Sequence, residues 1–110
     1  MTIKIVGLSD CDKCKSLRKK LKESGINHSF SDCDRDPGNC DNLEALTGSS
    51  NYPMLLIQDL EDNLLEVYFL TERYETMMKG SYTQNGIRLI PTHSTDSLLR
   101  YAENRLNFKL

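Results

Sequence analysis

Cys11 and Cys14 flank Asp12-Lys13, and this Cys-Asp-Lys-Cys step is the strongest chemical signal in the chain. Disulfide exchange needs a thiolate, because the protonated thiol is a poor nucleophile. Residues 3–8 read as a short buried strand, and the residues after the step have helical spacing. The step therefore falls where a helix begins. Unpaired backbone N–H groups and the positive end of the helix dipole favour a sulfur anion at that place. Two intervening residues bring the second thiol round by about one turn. Cys11 is thus expected to be the exposed nucleophile and Cys14 the more buried resolving thiol. Lys13 and Lys15 favour an anion at Cys11, whereas Asp10 and Asp12 oppose it; the helix terminus and the neighbouring thiol are expected to prevail.

The other two of the four cysteines, Cys33 and Cys40, make a second reading concrete, since four thiolates suffice to hold zinc. Their spacing weighs against it: six residues separate them, where zinc pairs usually have about two to four. Cys33 falls at a normally apolar strand position and is expected to be a small buried hydrophobe. Cys40 opens a helix and is expected to be inert, with oxidation or glutathionylation as the alternative. A third reading leaves Cys11 and Cys14 as a structural pair in a non-catalytic interaction module. His28 and His93 have no ligand partner at helical spacing, so neither is expected to be a base or a metal ligand.

The elements that position the cysteine step follow from periodicity and turn residues. A helix over about residues 11–23 turns Cys14, Leu17 and Leu21 inward and ends at Gly25, which suits a left-handed cap. Residues 26–34 predict a second strand, Asp36-Pro37-Gly38 a turn, and residues 39–46 a short helix stopped by Thr47-Gly48. Pro53 directly precedes an apolar strand over 54–58; a polar turn over 59–63 and a strand over 64–70 complete a hairpin. Residues 71–92 are read coarsely. Thr71 caps a short helix that stops at Gly80, Asn85-Gly86 is a turn, and Ile87, Leu89 and Ile90 form a brief strand or a covering loop. Ser94 or Thr95 caps a last helix whose apolar stripe is Leu98, Leu99, Ala102 and Leu106. The order predicts one α/β domain over residues 1–110, with a mixed sheet of about four strands and helices on its faces.

Length and composition fit a soluble globular protein: 110 residues, 38% hydrophobic and 27% charged. No apolar run approaches the roughly 18 residues of a membrane span, and the first residues lack the apolar core of a signal peptide. A cytoplasmic protein is expected, with no membrane partner. The net charge of −2 conceals a local contrast, because six of the 14 basic residues lie between Lys13 and Lys22. This basic helix face is either simply solvated or steers acidic partners towards Cys11. Nucleic-acid binding is not expected, since the total is negative and no aromatic residue is interleaved among those bases.

Taken together, these residues resemble the glutaredoxins, within the thioredoxin superfold, over about residues 3–70 and 94–108. The resemblance is carried by the strand before Cys11-x-x-Cys14, by Asp34-Arg35-Asp36-Pro37, by Tyr52-Pro53, and by Thr95-Asp96-Ser97-Leu98-Leu99. It implies a thioredoxin-like fold in which Pro53 is cis beside the active cysteines, and in which the backbone of Tyr52 pairs with substrate like an added strand. It implies that Thr95 and Asp96 hold the γ-glutamyl carboxylate of glutathione at the start of the last helix. The glutathione site is divergent. Leu8 stands where the family has a lysine or arginine, Lys13 where it has an aromatic residue, Asn51-Tyr52 where it has Thr-Val, and His93-Ser94 where it has Gly-Gly. Lys13 is the expected replacement for the missing carboxylate-binding lysine, and residues 71–92 look like an insertion beside the active face. The resemblance implies a thiol–disulfide oxidoreductase acting on protein disulfides or glutathione mixed disulfides, with no bound cofactor. Glutathione as co-substrate, or a thioredoxin-type reductase, would restore the dithiol; ribonucleotide reductase is one candidate recipient of electrons.

Overall fold

A computed structural model describes residues 1–61 and 63–107, the last two of these by their backbone alone. Asp62 of the expected turn, the Leu106 side chain of the expected apolar stripe, and residue 108 at the end of the resemblance lie outside the described residues. The elements in chain order are β1 (Thr2–Gly7), α1 (Asp12–Glu23), β2 (Ser29–Asp32), α2 (Pro37–Thr47), β3 (Met54–Asp59) and β4 (Leu64–Leu70). They continue with α3 (Tyr74–Lys79), β5 (Tyr82–Gln84), β6 (Ile87–Thr92) and α4 (Thr95–Asn107).

The fold is a thioredoxin-like mixed α/β arrangement, but its sheet has six strands, in the order β2-β1-β3-β4-β6-β5, rather than about four. The two additional strands come from residues 71–92. β6 runs parallel to β4 with Val67 opposite Leu89, and β5 pairs antiparallel with β6. Asn85 and Gly86, with φ of 53° and 77°, make the tight turn between β5 and β6, the geometry that two-residue hairpins need. β5 escapes sequence reading because Tyr-Thr-Gln offers no apolar alternation.

The strands sort their side chains by the two-residue period of a pleated sheet. Ile3 and Ile5 of β1, Leu55 and Ile57 of β3, and Tyr68 and Leu70 of β4 pack with Leu17 and Leu21 of α1 and Leu98 and Ala102 of α4. Val6, Met54, Val67, Phe69 and Leu89 face the other way and pack with Cys40 and Leu43 of α2. Helices α1 and α4 thus cover one face and α2 the other. Each fully buried leucine or isoleucine contributes roughly 1.5–3 kcal/mol, so the core holds both faces to the sheet.

Local chemistry sets the boundaries. Asp36 caps α2 by accepting from Asn39 N–H at 3.3 Å, and Pro37 occupies its first turn, so α2 begins earlier than residue 39. Gly48 closes α2 at φ 70°. Ser94 caps α4 by accepting from Ser97 N–H at 3.1 Å. Thr71 does not cap α3; its hydroxyl accepts from Arg73 N–H at 3.1 Å and shapes the turn before that helix.

Strand directions determine where the site lies. β1, β4 and β6 run in one direction and β3 in the other. Gly7, Met54, Leu70 and Thr92 therefore end or begin strands along the same border of the sheet. At the opposite border Arg105 bonds Glu66 at 2.7 Å and Asp59 at 3.5 Å, with both carboxylate side chains at least 95% buried.

Candidate active site

Cys11 is the N-cap of α1 rather than its first helical residue. Its sulfur accepts two hydrogen bonds, from Cys14 N–H at 3.2 Å and from the Cys14 thiol at 2.7 Å. Cys11 is half-buried, whereas Cys14 is buried. Burial, then the hydrogen bond to Cys11, pushes the Cys14 thiol up to about 12 from 9.0. Cys14 therefore stays protonated at neutral pH and serves as a donor to Cys11.

Gly7 makes room for this pair. A Cβ on Gly7 would come within 2.5 Å of the Cys14 sulfur. Position 7 continues the Ile3–Ile5 face of β1, so any side chain there meets α1 where Cys14 packs. The close packing at Gly7 leaves no signal in the sequence.

Tyr52-Pro53 is a cis peptide bond. The register Val6↔Met54 sets Pro53 next to the Gly7 end of β1. Across the neighbouring strand ends lies a groove of about 380 Å³. Lys13, Tyr52, Thr95 and Asp96, four of the expected binding residues, all line it. The other walls are Asn51, Leu70, Thr71, Glu72, His93 and Ser94. Pro53 is buried, and neither Pro53, Cys11 nor Cys14 lines the groove. Sequence reasoning also leaves out Glu72, brought in by the inserted segment, and His93, which has no spacing signal but directly precedes the cap of α4.

Charges in the groove are of both signs. Lys13 and Glu72 have no ion-pair partner among the described residues, whereas Asp96 meets Lys20 of α1 at 3.5 Å. The rest of the basic face of α1 divides its roles. Arg18 lies over the Phe30 ring at 4.2 Å, Lys19 meets Glu23 at 4.0 Å, and Lys15 and Lys22 are exposed.

The Tyr52 ring packs against the α2-side core. Its hydroxyl is buried, with the Glu44 carboxylate beside it. Burial, then the nearby Glu44 and Asp41 carboxylates, pushes it up to about 12.

Cys33 and Cys40 form a disulfide, with Cα atoms 5.7 Å apart. This corrects the expectation that they are an isolated hydrophobe and an inert thiol. It also corrects the four-thiolate zinc reading, because two of those sulfurs are bonded to each other. Among the described residues no group of three or more His, Cys, Asp or Glu is placed to hold a metal ion. The bridge is invisible from spacing because it joins the end of one element to the first turn of the next, and only the crossover between them brings the sulfurs together.

The arrangement is a two-sulfur centre at a helix start, on the sheet border that also carries the cis-proline loop and a mixed-charge groove. Two free thiols in contact at a helix start are chemically able to exchange with a disulfide. No curated protein and no solved structure matched the chain. A family model described as Glutaredoxin matches residues 2–60, which include both cysteines, α1, α2 and the cis-proline loop. That match spans more than half of the 110 residues, and the chain belongs to the glutaredoxin family.

Proposed function

We propose that this protein reduces protein disulfides or glutathione mixed disulfides through Cys11 and Cys14. The observation that carries the reading is the 2.7 Å contact between the two sulfurs, with the Cys14 thiol as donor. An anionic Cys11 sulfur keeps both of its hydrogen bonds, and such bonds are shorter and stronger to an ion. Cys11 attacks one sulfur of the substrate disulfide, and the other leaves as a thiolate and takes up a proton. Cys14 then attacks Cys11 in the mixed disulfide, releases the second substrate thiol, and leaves a Cys11–Cys14 disulfide. Two of the influences that raise Cys14, its hydrogen bond to Cys11 and the Cys11 charge, disappear once Cys11 is bonded to substrate. The resolving thiol thereby becomes more acidic at the step that needs it.

The electrons come from glutathione as co-substrate or from a thioredoxin-type reductase in the cytoplasm, with no bound cofactor. Lys13 and the open N–H groups at the start of α4, Thr95 and Asp96, receive an anionic group of the substrate. The backbone at Tyr52 pairs with its extended segment. Ribonucleotide reductase is one candidate among the protein substrates. Paired recycling assays test the reading, one with glutathione and its reductase and one with thioredoxin reductase. Turnover is expected with one of them and to be lost in Cys11→Ser, while Cys14→Ser is expected to retain reduction of a glutathione mixed disulfide. Full activity in Cys11→Ser would refute the assignment.

A further inference from the structure

The Cys33–Cys40 bridge lies outside the mechanism above, yet it touches both sides of the site. Cys33 directly follows β2, and its N–H donates to Gly7 O at 2.8 Å. Gly7 is the residue against which the Cys14 sulfur packs. On the α2 side the two bridged cysteines share one apolar cluster with Val6, Met54 and Tyr52. The bridge thus stands behind the strand that ends at the dithiol and behind the loop that carries the cis bond.

We propose that Cys33–Cys40 is a second exchange-competent thiol–disulfide pair, and that its state sets the position of the Tyr52 loop. The two sulfurs are unequal. Cys33 is half-buried and open to attack, whereas Cys40 is buried, with 4% of its surface exposed. Cys40 lies near the start of α2, and its sulfur is the one displaced when Cys33 is attacked. The reactant class is a dithiol or two monothiols. The first incoming thiolate bonds to Cys33, and the Cys40 sulfur leaves and takes up a proton. A second thiol attacks the new mixed disulfide, releases Cys33 as a thiol, and departs in a disulfide. The bridge gains two electrons and two protons, and the reductant loses them.

Tyr52 is the element that responds. Its ring packs in the same cluster as the bridge, and its hydroxyl is buried towards Glu44 and Asp41 of α2. The bridge fixes the first turn of α2 against β2, and α2 forms that packing. Opening the bridge frees α2 to shift, and the Tyr52 contacts with α2 shift with it. The oxidised bridge holds the loop in its substrate-ready place, and the reduced pair releases it.

The test uses Cys11→Ser/Cys14→Ser, so it does not depend on the proposed activity. The protein is equilibrated in dithiothreitol redox buffers, quenched in acid, alkylated and weighed, with circular dichroism recorded in parallel. One two-electron transition at Cys33 and Cys40 is expected while the protein stays folded, with amide exchange over residues 49–54 rising by about tenfold on reduction. In a second arm, Cys33→Ala/Cys40→Ala with Cys11 and Cys14 intact is expected to raise KM for a protein disulfide several-fold and leave kcat unchanged. A bridge absent at every potential, or opening only on global unfolding, would overturn the exchange claim. Unchanged exchange over 49–54, or an unchanged KM, would overturn its link to the loop.

Discussion

Gly7 is where the Cys14 sulfur takes the space a side chain would need. Gly7→Ala sets a methyl within 2.5 Å of that sulfur, and overpacking of a closed core costs about 1–3 kcal/mol. Urea unfolding should show a loss of that order, and single-turnover assays should show a slower resolving step than mixed-disulfide formation. Cys14 also predicts a pH response. Below pH 9.0 its thiol is protonated whether the chain is folded or not; between 9.0 and about 12 the unfolded chain loses the proton and the folded chain keeps it. Stability should therefore be complete below pH 9.0 and fall as pH rises through that window. Unfolding measured under argon from pH 8 to 10.5 should show a steeper alkaline loss in the native protein than in Cys14→Ser. At this scale the Cys11–Cys14 step is legible in the sequence, because exchange chemistry calls for two thiols at a short interval, whereas the cis bond at Pro53 is legible only through the family resemblance. Gly7 and the Cys33–Cys40 bridge are not, since each depends on a neighbour supplied by another element.

Among the elements, the segment between β4 and α4 departs most from expectation. Its turn at Asn85-Gly86 and the apolar residues of β6 are legible, but where β6 docks is set by an open strand edge that no local pattern records. Docking there draws Glu72 into the groove that Lys13 also lines. A free carboxylate disfavours anionic substrates and its field weakens with salt. With a series of small disulfides, Glu72→Lys should raise kcat/KM for oxidised glutathione several-fold relative to neutral 2-hydroxyethyl disulfide, and lower it for cystamine. The contrast should shrink at high salt. Equal ratios in both proteins would remove Glu72 from substrate selection. The helices are more legible than β5, because Leu17, Leu21, Leu98 and Ala102 repeat with the helical period, whereas Tyr-Thr-Gln in β5 repeats nothing.

On the scale of the whole molecule, the candidate site and the buried ion pairs occupy opposite borders of one sheet. Arg105 is the cation that Asp59 and Glu66 share away from the thiols. Removing one partner of a buried ion pair costs about 3 kcal/mol or more. Arg105→Ala should lower the urea midpoint accordingly and leave the pre-transition turnover of the dithiol intact; a parallel loss of turnover in fully folded protein would show that the two borders are coupled. The sheet has a further property in its flanks. Its outermost strands, β2 and β5, have only four and three residues, against six or seven for the strands between them. An unpaired flank that short offers a stranger chain few places to zip on. Widening the sheet at one side therefore adds no long sticky hem, and the protein extends its surface without inviting fibrils.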